Sequence, residues 1–255
     1  MLRVGTGAAA RRIAYLREPG RRADRAGVLW LCGFKSEMTS TKASALAAWA
    51  RRRGIGCLRF DYSGHGRSEG AFEEGTIGRW REEAQAVFCR LSRGPQVLVG
   101  SSMGGYLALL LLRDLLASAP RQARRIAGLV LIAPATPATG VRSCSRPARA
   151  RRQIAEAGVY QRPSRYGDGP YPITRALIAD GRRHLLGRPF DPRRPVHILH
   201  GCEDPDVPFA HTRALLARLQ GNRTHLHAVE GGDHRLSRPE DIAQLLAVVL
   251  RLAAR

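Results

Sequence analysis

Lysine is almost missing from this chain. Of 42 basic residues only Lys35 and Lys42 are lysine and the rest are arginine; 21 acidic residues leave a formal net charge of +21. Such a charge normally raises nucleic acid as a partner. The features that usually go with that role are absent. The arginines run along the whole chain, with short clusters such as Arg51-Arg52-Arg53, and no basic arm, zinc-finger spacing or RNA-binding aromatic motif accompanies them. They read as a compositional bias on solvated faces, with steering of anionic substrates as the functional alternative. No nucleic-acid partner is expected. Long apolar runs are missing too. The densest, Tyr106 to Leu112, falls well short of the roughly 18 residues that span a bilayer, so it reads as a buried helix and no membrane span is expected. Cysteines number five, Cys32, Cys57, Cys89, Cys144 and Cys202, without a C-x-x-C. That odd, irregular set supports neither a disulfide framework nor a zinc site. Reduced thiols in the cytoplasm are the simplest reading, and no cofactor or metal is implied.

What is present is enough for a folded core. The 255 residues are 44% apolar, suited to one α/β domain with a modest insertion. Met1 to Arg12 is rich in Arg and Ala and lacks acids, a composition that transit peptides share. Ile13 and Tyr15 already begin a strand, so only about ten residues remain for a leader and a folded N-terminus is favoured. Short apolar runs at Ile13–Leu16, Val28–Leu31, Ile55–Phe60, Val97–Val99, Leu129–Ala133, Val196–Leu199 and His225–Val229 read as strands. Helical patterns lie between or after them, near Thr41–Arg53, Ile77–Ser92, Met103–Ala117, Phe209–Leu219 and Pro239–Ala253. This alternation predicts an α/β fold, a mostly parallel sheet with helices on both faces. The first two strands are joined by a loop too short for a crossover helix, so they are expected to form an antiparallel hairpin. Ser237 with Glu240, and Pro239 between them, predicts a capping box on the last helix. From 136 to 195 the pattern fails: Pro, Gly and Arg dominate, with two weak helical patterns and three of the six tyrosines, Tyr160, Tyr166 and Tyr171. So long a connection inside a compact domain is usually functional. The expected organisation is a core of residues 1–135 and 196–255 with a cap inserted at 136–195.

The sharpest chemical signal is Gly100-Ser101-Ser102-Met103-Gly104, a G-x-S-x-G between a strand and a helix. That context is what a nucleophile elbow requires, with Ser102 at its tip. Ser101 is out of register, because Val99 and Met103 would then occupy the glycine positions. A serine hydroxyl needs a base to take its proton. Of eight histidines, His234 lies after the last strand and before the last helix, on a loop that reaches back over the sheet. His200, at a strand end, and His225 and His227, on one face of a strand, read as structural or solvent-facing. The acid that orients the base should follow the strand Val196–Leu199. Asp204 is the first choice there and Asp206 the second. Two donors must hold the oxyanion: the Met103 N–H after the nucleophile, and an N–H after an earlier strand, where Cys32-Gly33-Phe34 points to Phe34.

With these residues assembled, the chain resembles the α/β-hydrolase superfamily from about Arg11 onward. Asp61-Tyr62-Ser63-Gly64-His65-Gly66-Arg67-Ser68 looks like the family's loop before the elbow strand. His200-Gly201 with Asp204 and Val207-Pro208 looks like its acid loop, which favours Asp204. The segment Gly33 to Ala43, with Gly158-Val159-Tyr160, Pro163-Ser164-Arg165-Tyr166 and Asp233-His234-Arg235, is similar to the branch of mitochondrial acyl-protein thioesterases that also hydrolyse acyl glucuronides, and to its bacterial relatives. Glu37 and Ser40 depart from the Asp and Gly expected of that branch. The resemblance implies an α/β-hydrolase fold and hydrolysis of thioesters or carboxylic esters, on a small-molecule or acyl-protein substrate. Other chemistry of the same triad (peptidase, lactonase or C–C hydrolase) and a binding protein without activity are the alternatives.

Overall fold

The computed structural model describes residues 1–136, 148–164 and 169–254. Its centre is a seven-stranded sheet. In chain order the strands of the molecule are β1 (Leu2–Val4), β2 (Arg11–Ile13), β3 (Tyr15–Glu18), β4 (Gly27–Leu31), β5 (Cys57–Phe60), β6 (Gln96–Ser101), β7 (Ile126–Ile132), β8 (Val159–Arg162), β9 (Tyr171–Thr174), β10 (Val196–Gly201) and β11 (Thr224–Val229). The sheet runs in the order β11-β10-β7-β6-β4-β5-β3, parallel except for β3 against β5. Its inner strands are near-continuous apolar runs because both faces are covered. Val28, Leu29, Trp30 and Leu31 of β4 and Val97, Leu98 and Val99 of β6 are all buried.

The helices are α1 (Thr41–Arg52), α2 (Ile77–Leu91), α3 (Met103–Ser118), a short α4 (Pro120–Ala123), α5 (Ala148–Ala157), α6 (Arg175–Arg183), α7 (Phe209–Leu216) and α8 (Pro239–Ala253). Helix α3 is apolar nearly all round, and Tyr106 to Leu112 are buried without a break. Such a helix cannot sit on a surface and marks the centre of the molecule.

Two expectations are corrected. The hairpin between the first two strands does not form: β3 pairs with β5, from Tyr15 opposite Phe60 to Glu18 opposite Cys57, and β4 takes the place between β5 and β6. The cause lies in the two sequences. Tyr-Leu-Arg-Glu of β3 is only half-buried and suits an edge, whereas Gly-Val-Leu-Trp-Leu of β4 needs neighbours on both sides. The connecting loop is tied across the start of β5 instead, with the Arg21 and Arg22 N–H groups donating to Gly54 O. On α8 the cap falls one residue later than expected. Pro239 is the first helical residue, which makes Arg238 the N-cap, and Asp241 rather than Glu240 accepts from the Arg238 N–H at 3.1 Å. Ser237 donates to Arg235 O.

The first strand expected at Ile13–Leu16 breaks at Ala14 into β2 and β3, and β2 pairs with β1. Leu2 to Ile13 is thereby folded onto the domain. Arg11 is buried there and donates to Glu82 and to the fully buried Glu83 of α2. Of the segment expected as a cap, the described residues hold α5, the antiparallel pair β8–β9 and α6. Arg165, Tyr166 and Cys144 lie outside the described residues.

Candidate active site

The parallel strands end along one edge, and the loops that leave them converge there. At the end of β6 the chain turns at Ser102, which has φ +52° and ψ −117°. A residue with a Cβ adopts that conformation only where its surroundings hold it. The Ser102 N–H donates to Ile132 O at 2.7 Å, its carbonyl accepts from Ala135 N, and α3 begins immediately after. The flanking glycines are required by space. A Cβ on Gly100 would lie 2.6 Å from the Gly104 carbonyl carbon, and one on Gly104 2.5 Å from Cys32 O.

His234 arrives on the loop between β11 and α8. Its Nε2 accepts from the Ser102 hydroxyl at 3.0 Å, and its Nδ1 donates to Asp204 Oδ2 at 2.7 Å. Asp204 Oδ1 accepts from the N–H groups of Asp206 and Val207 at 2.9 and 2.8 Å. Burial alone would raise the Asp204 carboxyl; the His234 contact and the two N–H donors outweigh it and hold the group below the usual carboxylate range. The acid and base loops are laced together, with Cys202 N donating to Val229 O and Glu203 N to Gly232 O. Asp206, the second choice for the acid, accepts from Arg162 at 3.2 Å, while Asp204 is the carboxylate that meets His234.

Phe34, expected as an oxyanion donor, lies on the loop after β4. Next to it, a Cβ on Gly33 would lie 3.5 Å from Ser102 Cβ. Neither the Phe34 nor the Met103 N–H has a backbone partner among the described residues. The Phe34 ring packs edge-on against Phe72, Tyr171 and Trp80 at 4.8, 5.6 and 5.8 Å. Tyr171 belongs to β9 and Arg162 to β8, so the 136–195 segment meets both the Phe34 loop and the acid loop.

Several supporting contacts could not be read from the sequence. His200 is fully buried; its Nε2 donates to Val207 O at 2.9 Å and its Nδ1 accepts from Thr212, which fixes the acid loop from below. Lys42 donates to Arg235 O and to Ser237 Oγ, tethering the loop just after His234. Asp61 and His65 grip the Phe34 loop through Met38 and Lys35. The doublet Gly64 and Gly66, both at positive φ, marks their loop as a tight one. His225 and His227 stack on His197 across the β10–β11 pair.

A model of the alpha/beta hydrolase family matches residues 28–245. The chain is 31% identical over 225 residues to the human mitochondrial palmitoyl-protein thioesterase ABHD10, covering 88% of this chain and 71% of that protein. The bovine protein of the same name is 32% identical over 240 residues, covering 93% and 75%. Among solved structures, a putative hydrolase from Agrobacterium vitis S4 superimposes with a TM-score of 0.93 at 42% identity, over 99% of this chain and 97% of that one. Mouse alpha/beta hydrolase domain-containing protein 10 does so with a TM-score of 0.83 at 29% identity, over 98% and 96%. The chain belongs to the alpha/beta hydrolase family.

Proposed function

We propose that this protein is a serine esterase or thioesterase that works through a covalent acyl-enzyme. The observation that carries the reading is the unbroken hydrogen-bond chain from Ser102 through His234 to Asp204. Ser102 Oγ attacks the acyl carbonyl while its proton passes to His234 Nε2. Asp204 holds the imidazolium that results. The carbonyl oxygen, now an oxyanion, is met by the N–H groups of Phe34 and Met103, each worth about 3 kcal/mol of transition-state stabilisation. Collapse expels the thiolate or alkoxide, which takes the proton from His234. Water then attacks the acyl-serine with His234 as base, and the free acid leaves.

The name shared by the curated relatives, palmitoyl-protein thioesterase, favours a fatty-acyl thioester as substrate. Segment 136–195 is the cap in this reading and forms the acyl pocket, supported by the contact of Tyr171 with Phe34. Exchanging it for a relative's segment should move the chain-length preference, and an unchanged profile would remove the idea. A cytoplasmic location is supported by the free thiols of Cys32, Cys57, Cys89 and Cys202.

The test is a fluorophosphonate probe with the adduct located by mass spectrometry. The adduct should fall on Ser102 and vanish in Ser102→Ala. Folded wild-type protein that takes up no probe would refute the reading. A panel of acyl thioesters and oxyesters of matched chain length then ranks the two leaving groups.

A further inference from the structure

The loop that carries Phe34 is gripped from the side by the loop that follows β5. Asp61 Oδ1 accepts from the Met38 N–H at 2.6 Å. His65 Nε2 accepts from the Lys35 N–H at 3.1 Å. The second contact acts on the peptide that joins Phe34 to Lys35, and it does so at a strained point. Lys35 has φ +54°, a conformation that side chains with a Cβ avoid and that persists only when neighbours impose it.

We propose that His65 is a positioning residue for acyl transfer: its Nε2 lone pair holds the Lys35 N–H and so aims the Phe34 N–H at the oxyanion beside Ser102. This rests on the assignment of Ser102 as nucleophile and Phe34 as oxyanion donor. The role requires one tautomer. The second ring nitrogen, Nδ1, lies 3.2 Å from Ser63 O and donates to it, which leaves Nε2 bare. Ser63 is itself pinned, its N–H and hydroxyl both donating to the buried Glu83. The His65 ring is 4% exposed and wedged edge-on between Phe72 and Trp80 at 5.0 and 5.2 Å. Burial pushes its pKa down to about 4, so the ring is neutral at ordinary pH and can accept. Without that acceptor the Lys35 N–H loses its partner, and the Ser36 N–H to Gly33 O bond and the Asp61–Met38 contact are left to brace the turn.

The amide side chains separate positioning from mere filling. Glutamine can place its carbonyl oxygen where Nε2 stands, asparagine reaches only as far as Nδ1, and leucine fills the space without accepting. His65→Gln should keep kcat within about threefold of wild type, while His65→Asn and His65→Leu should lower it by roughly 30- to 100-fold, below the loss for a deleted donor because the N–H remains. KM should stay within about twofold, since the contact matters after attack rather than before. Affinity for an alkyl trifluoromethyl ketone, whose adduct with Ser102 carries the oxyanion, should fall with kcat. Equal activity of the Gln and Asn variants, or a kcat loss that leaves the ketone affinity unchanged, overturns the proposal. A variant-free measurement stands beside it: nitrogen-15 NMR of the wild-type protein should find the His65 proton on Nδ1, and a proton on Nε2 at neutral pH overturns the proposal whether or not the variants fold. Fluorophosphonate labelling of wild-type Ser102 tells the two failures apart. With labelling intact, a flat His65 series removes the positioning role alone; without labelling, the catalytic assignment falls and takes this role with it.

Discussion

Gly104→Ala places one methyl group against the frame of the proposed oxyanion site. The new Cβ would lie 2.5 Å from Cys32 O and closer still to Leu31 O, where ordinary contact begins at 3.4 Å. Both obstacles are backbone, so no side-chain rotation relieves them. The first turn of α3 must back away from the end of β4 by about 1 Å. Met103 moves with α3, and Phe34 stays with the β4 loop, so the two N–H groups separate. A misplacement of that size costs about 100-fold in rate. Overpacking of a filled interior adds about 1–3 kcal/mol of destabilisation, which lowers Tm by several degrees in a chain of this length. Stopped-flow or plate-reader kcat on a short acyl thioester, differential scanning fluorimetry and the rate of fluorophosphonate uptake read the three consequences. Gly94→Ala is the control: Gly94, unlike Gly104, has positive φ, and a Cβ there meets nothing within 4 Å among the described residues, so it should cost about 1 kcal/mol of stability and no activity. A Gly104→Ala enzyme with wild-type kcat and Tm would refute the reasoning.

Asp204→Asn removes the charge that stabilises the imidazolium and favours the wrong imidazole tautomer, so kcat should fall by about 10⁴-fold with the fold retained; a loss under tenfold would point to another acid. Arg11→Met leaves the fully buried Glu83 with only its Ser63 donors. Breaking a buried pair in this way should cost about 3 kcal/mol in urea unfolding, and a change below 0.5 kcal/mol would contradict the contact. Stability should also decline with acid. His65 has a folded pKa of about 4 against an ordinary 6.5, so between those values the unfolded chain binds a proton that the native one refuses. Its contribution is therefore intact above pH 6.5, lost progressively toward pH 4 and level below, about 3 kcal/mol in all. Buried His200, also lowered, adds in the same direction. Urea midpoints at pH 7, 6, 5 and 4 measure it, and His65→Gln should flatten the curve.

The three residues proposed as the triad, which the structure brings within hydrogen-bond distance, each sit at a junction that sequence patterns mark. Ser102 stands between an apolar run and a helix, His234 between the last strand and the last helix, and Asp204 just after β10. The alternation of apolar runs gave the central strands for the same reason: buried on both faces, they are continuous. Strand order was another matter. Nothing local told β3 to skip β4, because the choice turned on which strand could tolerate an edge. The pair β8–β9 was illegible as well, since neither Val-Tyr-Gln-Arg nor Tyr-Pro-Ile-Thr alternates and both are half-buried. His65 and Lys42 escaped because their roles depend on contacts with backbone atoms 30 and 193 residues away. Such partners leave no spacing to read.

The scarcity of lysine has a practical side. Lys35 projects from the Phe34 loop with its ammonium 6.0 Å from the Tyr171 ring. Lys42 lies under the His234 loop, where burial pushes its pKa down to about 8. Beyond the α-amino group, every amine of the sequence that an acylating reagent, a cross-linker or an activated resin can attack therefore sits beside the proposed active site. Amine coupling would concentrate beside that site, and a lysine engineered on a distant face would compete with only three native amines.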